Sequence, residues 1–325
     1  MIYLKKIFSA ITTIFIVSLI IFLLFEFLPG DPVLIRLGIE SDPILEARLR
    51  EELGLNAPLY IRFFKWCFQL LKGDLGHSFS YSSYTVVELI KSRFLTTFTI
   101  TVSTLIVVLI TSIPLGTILA KNHKLKTFKF LKVFSQIGFS IPAFWTAIVL
   151  MYIFSLKLKL LPTLGSINWD RYPIKSMKSL ILPILTLSIS KVPLVSHYLC
   201  NSMIEESSKD YVRVAKSKGL NQNEIYKNHI FRNSLISVVT VIGMITIYLI
   251  TGTIVIENVF ALPGLGTLLM EGINRKDYPL VQGIVLYISF SVILINFIID
   301  IIYSIIDPRI RKGGEKRWMY LKIQI

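Results

Sequence analysis

Residues 94–120 read FLTTFTITVSTLIVVLITSIPLGTILA, 27 positions without one Asp, Glu, Lys or Arg. A helix needs about 20 mostly apolar residues to cross the hydrocarbon core of a bilayer, so this stretch is long enough to span one. Working outward, five further segments read the same way: Ile7–Leu28, Leu131–Leu156, Leu180–Cys200, Ser234–Ile256 and Leu280–Ile306. The composition agrees. Of 325 residues, 53% are hydrophobic and 17% charged, with a mean hydropathy of +0.65; a soluble domain carries about 45–50% apolar and about 25% charged residues. The expected fold class is an all-α polytopic membrane protein with six transmembrane helices. Two cysteines, Cys67 and Cys200, make no disulfide framework.

The first segment follows Met1 and the pair Lys5 and Lys6, which mimics a secretory signal. Its apolar run of 22 residues is longer than the ~7–15 of a signal core, and no small-x-small cleavage site follows. It is expected to remain as a helix. With the amino terminus inside, the inner segments 1–6, 121–132, 201–235 and 307–325 hold 19 Lys/Arg against 6 Asp/Glu. The outer segments 29–93, 157–180 and 257–280 hold 15 against 12. Basic excess in short loops marks the cytoplasmic side, so both termini are expected there. The net charge of +15 follows from basic flanks of membrane spans, and no nucleic-acid partner is implied. Three charges fall within spans. Glu26 and Asp300 lie near span ends and are expected at the interface; Lys191 sits mid-span between Pro183 and Pro193. A charge at that depth is costly and marks a candidate for function. Lys191 reads either as a lysine that snorkels or faces a helix partner, or as a contact of the transport path.

The loops are unequal. Residues 29–93 are too long for a hairpin. Asp42-Pro43 predicts an N-cap with proline at the first helical position, leading a helix to a stop at Gly54. A second helix is expected from Pro58 to before Gly73, carrying Tyr60, Phe63, Phe64, Trp66, Cys67 and Leu70. Both are amphipathic, with apolar faces expected on the outer ends of the spans. In 201–235, Tyr211, Val214, Ala215 and Lys218 follow helical spacing and Gly219 is a natural stop. Asn221 with Glu224 has the form of a capping box and opens a second short helix through Ile225 and His229. A solvated basic linker would show the same composition.

Several chemistries find no support. His77, His123, His197 and His229 show no metal-ligand spacing with each other or with the cysteines. No Gly-x-Ser-x-Gly elbow occurs. The phosphate-cradling Gly-x4-Gly-Lys-Ser/Thr pattern is missing, and Gly264-Leu265-Gly266-Thr267 is too short and lacks the lysine. The chain is expected to take no cofactor or metal and not to be an enzyme; its energy source lies on another polypeptide or in an ion gradient.

Four patches carry a family resemblance. Leu28-Pro29-Gly30-Asp31-Pro32 closes the first span. Leu53-Gly54-Leu55, Pro58-Leu59-Tyr60 and Gly73-Asp74-Leu75-Gly76 structure the outer region. Asp210-Tyr211-Val212-Arg213-Val214-Ala215-Lys216-Ser217-Lys218-Gly219-Leu220, with Arg232-Asn233, fills the large inner loop. Phe260-Ala261-Leu262-Pro263-Gly264-Leu265-Gly266, Asp277-Tyr278-Pro279 and Asp307-Pro308-Arg309 frame the last span. In this order the chain resembles permease subunits of binding-protein-dependent ABC importers of the dipeptide/oligopeptide/nickel type. It is similar to the member of the permease pair with the longer outer loop. It departs from the pattern at Ser237, where the family has proline, at Arg93-Phe94-Leu95-Thr96-Thr97, and at Lys191.

The resemblance implies the type-I importer permease fold with an extended extracytoplasmic region. Its expected division is residues 1–93 (first helix plus outer region), 94–306 (five-helix transmembrane domain with coupling loop 201–235) and 307–325 (cytoplasmic tail). It implies that Tyr211, Arg213, Val214, Ala215, Lys218 and Gly219 form a coupling helix docked on an ATPase, with Ala215 and Gly219 allowing close backbone approach. It further implies a second homologous permease, two ATP-binding cassette subunits, a solute-binding protein and a place in the bacterial or archaeal inner membrane. Alternating access would carry small peptides, or nickel or a metal–chelator complex. An ion-coupled secondary transporter is the alternative; it predicts repeated halves and a central acid, and neither is seen. A membrane-embedded enzyme would need a catalytic cluster that is absent.

Overall fold

In a bilayer the backbone must satisfy its own hydrogen bonds, which leaves an apolar span little choice but the helix. A computed structural model describes residues 2–27, 33, 42–52, 54–123, 125, 141–165, 167 and 171–306. Its helices are α1 (Ile2–Glu26), α2 (Pro43–Glu52), α3 (Leu59–Leu71), α4 (Val86–Lys121), α5 (Ala143–Leu150) and α6 (Pro173–Ser207), followed by α7 (Asp210–Ser217), α8 (Gln222–Glu224), α9 (Arg232–Val259), α10 (Leu265–Asn274) and α11 (Tyr278–Ile306). Two π-helical stretches, Met151–Lys157 and Ile225–Phe231, continue α5 and α8. Strand pairing among the described residues is limited to one antiparallel bridge, His77 with Thr85.

Five described helices are long and apolar enough to cross a membrane: α1, α4, α6, α9 and α11. Of the expected span 131–156, residues 131–140 lie outside the described residues; the remainder is α5 with its π-helical continuation. The motif at 28–32, the tail 307–325 and its Asp307-Pro308-Arg309 also lie outside the described residues. α4 and α6 exceed their expected spans because their amphipathic ends extend past any apolar window. At 1.5 Å per residue a 36-residue helix is about 54 Å long, well beyond a ~30 Å hydrocarbon core.

Residues 3–97 with 263–293 form one compact unit. In it Asp42 caps α2, its Oδ1 accepting from the Ile44 N–H at 3.0 Å. On α3, Phe63 is buried with ring centroids 5.8 Å from Phe15 and 5.3 Å from Phe22, and Trp66 lies 5.5 Å from Phe22. Arg62 Nη1 donates to Glu26 at 2.5 Å, so the expected interfacial acid is ion-paired. Phe22 and Glu26 lie in the outer turns of α1 and Phe15 about 16 Å of helix before Glu26, so the apolar face of α3 packs along the outer half of that span. Its other face, Tyr60, Phe64, Phe68 and Leu71, is exposed. Thirteen residues are too few to cross, and an apolar row at that depth suits lipid.

The same unit holds a polar clamp. Asp277 is fully buried and accepts from Ser78 Oγ, from the Phe79, Ser80 and Leu280 N–H groups, and so ties the loop after α3 to the start of α11. Lys276, just before it, is a non-glycine residue at φ +54. There it closes α10: the Lys276 N–H reaches Ile273 O and the Asp277 N–H reaches Gly272 O. Tyr81 Oη donates to Glu271 Oε2 at 2.9 Å beside Arg275. That carboxylate bond, with burial, holds the Tyr81 phenol above its ordinary value. Leu265 N–H donates to Thr97 Oγ1 at 2.9 Å.

The described residues of 98–262, with 294–306, form the other unit. Its centre is α6, 61% buried over its most apolar stretch against 33% for α9. Serines and threonines line its buried side, including Ser176, Ser179, Thr186, Ser188, Ser190 and Ser196, the small polar residues that let membrane helices approach closely. α6 approaches α4 closely: a Cβ on Gly116 would stand 2.9 Å from the Ser196 carbonyl. Ser196 Oγ donates to Val192 O at 2.7 Å and to Ser112 O at 3.3 Å.

Candidate functional site

The segment between α6 and α9 folds as a helical knuckle. α7 opens after extended Lys209 and is closed by Gly219 at φ +78, with Gly219 N–H on Lys216 O (3.0 Å) and Leu220 N–H on Ala215 O (3.3 Å). This paired closure needs a left-handed residue, and a side chain there would meet nothing within 4 Å. Glycine is therefore set by backbone conformation. Asn221 then caps α8, its Oδ1 accepting from the Asn223 N–H at 3.2 Å. The donor is Asn223, one residue short of the position a capping box uses. The π-helical stretch Ile225–Phe231 leads without interruption into α9.

Residues of α7 divide by face. Val212 (1% exposed) and Ala215 (7%) point inward and join the core that includes Ile225 and Ile230. Arg213, Val214, Lys216 and Lys218 point out, and Val214 is 53% exposed. Ala215, read from sequence as a close-approach surface position, is thus packed within its own chain. Tyr211 is half-buried and fixes the knuckle to its neighbours: its hydroxyl donates to Glu206 Oε2 at 2.6 Å, and Asn233 also hydrogen-bonds it. Burial first, then the Glu206 bond, pushes the Tyr211 phenol above its ordinary value. Glu206 in turn pairs with Lys209, and Lys121 Nζ lies 5.6 Å from the Tyr226 ring centroid. Tyr211 and Asn233 were legible as motif members. Glu206 was not, because a contact five residues back across a helix break has no periodic signature.

Lys191 is apart from the knuckle. It is 6% exposed on α6, with Nζ 3.2 Å from the centroid of the Tyr248 ring on α9. Tyr248 carried no sequence signal, since the pairing arises only when the two helices pack. Among the described residues no group of three or more His, Cys, Asp or Glu gathers as a metal site.

Five apolar helices long enough to span, with a buried α6 packed on α9 and a helical knuckle between those two, define a multi-pass membrane protein of the ABC-transporter permease fold. The inward-facing MetNI methionine ABC transporter shares that fold at a TM-score of 0.55 and 15% identity, over 68% of this chain and 97% of that one. The chain belongs to the family of binding-protein-dependent transport system inner membrane components, whose model matches residues 112–312, with the family's amino-terminal model matching 1–103. It is a permease subunit of an ABC importer and not itself an enzyme. Among its relatives, the Salmonella typhimurium glutathione transport system permease protein is 36% identical over 308 residues, 95% of this chain and 98% of that one. A Brucella abortus protein named for a peptide transport system permease matches with the same identity and coverage.

Proposed function

We propose that this permease forms half of the path for small peptides in an ATP-driven importer. It pairs with a second, similar permease in a six-span arrangement with both termini in the cytoplasm. Two ATP-binding cassette subunits energise it and an extracytoplasmic solute-binding protein delivers the cargo. The peptide class is supported by the relatives, one named for glutathione, a tripeptide, and one for peptides. Residues 1–93 supply the first helix and outer region, 94–306 the transmembrane domain and 307–325 a tail.

The observation that carries the coupling mechanism is α7, exposed on one face and anchored on the other. Arg213, Val214 and Lys218 form the face that docks in a groove of an ATPase. Val212 and Ala215 hold the helix to the body, Tyr211 ties it to Glu206 at the end of α6 and to Asn233 at the start of α9, and Gly219 closes it. A push on α7 reaches both spans through these packed and hydrogen-bonded contacts.

The test is reconstitution of the complete importer in liposomes with a labelled tripeptide. Uptake is expected only with internal ATP and loaded binding protein. Uptake driven by a proton or sodium gradient without ATP would sink the proposal.

A further inference from the structure

Lys191 and Tyr248 occupy matching depths. α6 runs Pro173–Ser207 and the apolar part of α9 runs Val238–Val259; both residues fall within about one residue of the midpoints of those ranges. Taken as spans, the two helices put this pair near the bilayer midplane, some 25 Å of helix from either end of α6.

The lysine is not arranged as a structural ion pair. Its Nζ lies over the face of Tyr248, and among the described residues it makes no salt bridge. One turn earlier on α6, the buried Ser188 Oγ has no hydrogen-bond partner among the described residues. Buried polar groups ordinarily find partners, and cations at this depth are rare and mark solute paths or counter-charges. Tyr248 itself is 47% exposed. It belongs to an exposed row on α9 with Met244, Thr251 and Val255, and its ring lies against Gly252, where a Cβ would stand 3.0 Å away. The Thr251 hydroxyl is bonded back to the Ile247 and Tyr248 carbonyls, so it is Tyr248, a ring with a hydroxyl at mid-span, that suits a face meeting water or solute. A small movement of the Tyr248 ring would uncover the ammonium from that side.

We propose that Lys191, covered by Tyr248, is a subsite for the carboxylate of the transported solute. It rests on the peptide reading above and deepens it. The ammonium and the Ser188 hydroxyl supply donors to the carboxylate, and the Tyr248 ring holds the cation while the site is empty. No bond is made or broken. The subsite makes passage selective for solutes with a free acid group, separately from the choice made by the binding protein.

The test uses the complete importer in liposomes with two labelled tripeptides, one with a free C-terminal carboxylate and one C-amidated, each at saturation of the binding protein. The expected wild-type preference for the acid is about tenfold, equal to ~1.4 kcal/mol. Lys191→Met should bring the ratio near one, and Lys191→Arg should keep most of it. A merely structural lysine would lower both uptakes together and leave the ratio alone. Should Lys191→Met fail to assemble, Tyr248→Glu keeps the buried cation and supplies it an internal carboxylate; the ratio should again collapse. An unchanged ratio in the variant that assembles overturns the subsite while the peptide reading stands. Loss of the second permease from purified Lys191→Met, with assembly restored in Lys191→Arg and the acid/amide ratio unchanged in Tyr248→Glu, would assign the lysine to a partner acid and overturn it too. Failure of wild type to import either peptide overturns the peptide reading, and this one with it.

Discussion

Ser78 and Asp277 lie 199 residues apart in the chain and are joined by a 2.5 Å hydrogen bond from Oγ to Oδ2. The same carboxylate accepts from the N–H groups of Phe79 (3.1 Å), Ser80 (2.9 Å) and Leu280 (3.3 Å). One buried side chain thus organises the loop after α3 and the start of α11. Hydrogen bonds to a charged group contribute ~1.5–3 kcal/mol each, and a buried donor left unpaired is penalised by a similar amount.

Asp277→Ala should therefore be among the most damaging single changes in this unit, at about 3 kcal/mol or more. Thermal unfolding in detergent should show the largest fall for Asp277→Ala, an intermediate one for Asp277→Asn, and a smaller one, about 1–2 kcal/mol, for Ser78→Ala. Equal midpoints for wild type and Asp277→Ala would show that the clamp stabilises nothing.

Two glycines separate steric from conformational cost. A Cβ at Gly116 would stand 2.9 Å from the Ser196 carbonyl oxygen, which belongs to backbone and cannot rotate away. Gly116→Ala must force α4 from α6, at about 1–3 kcal/mol. Gly219→Ala meets open space and bears only the left-handed φ of +78, about 1 kcal/mol. The Gly116 variant should be the less heat-stable of the two, and the reverse order would contradict the close packing of α4 on α6.

The cysteines should differ in reactivity. Cys200 is 1% exposed and Cys67 is half-buried on α3. Burial pushes the Cys67 thiol above its ordinary value of 9, so its reactive thiolate is scarce at neutral pH. Maleimide should label one cysteine slowly in the folded protein and two after denaturation in dodecyl sulfate. The slow rate should still be climbing as pH passes 9. Because the folded thiol holds its proton more tightly than the unfolded one, its contribution to stability is complete below pH 9 and is lost as pH rises above it. A labelling rate that levels off below pH 8 would contradict the burial.

Much of the fold was legible because bilayer spans carry a signal that needs no partner. The first expected span as far as Glu26, and Phe94–Ala120, Leu180–Cys200, Ser234–Ile256 and Leu280–Ile306, each coincide with a long helix. What the sequence missed depends on packing. α4 begins at Val86 and α6 at Pro173 because polar residues continue a helix outside an apolar window. α10 was not expected, although Gly264 N–H bonded to Thr267 Oγ1 is a start that could have been sought. Asp277 stood in a motif, yet nothing local says that it would be buried under Ser78. In the knuckle, smallness suggested that Ala215 meets a partner. Its spacing of three from Val212 is the better guide, since i and i+3 share a helix face, and that face is inward.

Val214 and Ala215 therefore supply a test with its own control. Each would be made the single cysteine in a background lacking Cys67 and Cys200, in the assembled importer, and crosslinked to lysine amines of the ATPase with a short maleimide–succinimidyl ester in the presence and absence of ATP. If α7 docks on the ATPase through its outer face, Val214→Cys, 53% exposed in the free chain, joins to that subunit with a yield that changes with nucleotide, and Ala215→Cys, at 7%, does not. Intact ATP-dependent uptake with no crosslink from position 214, or equal crosslinking from 214 and 215, would contradict the account.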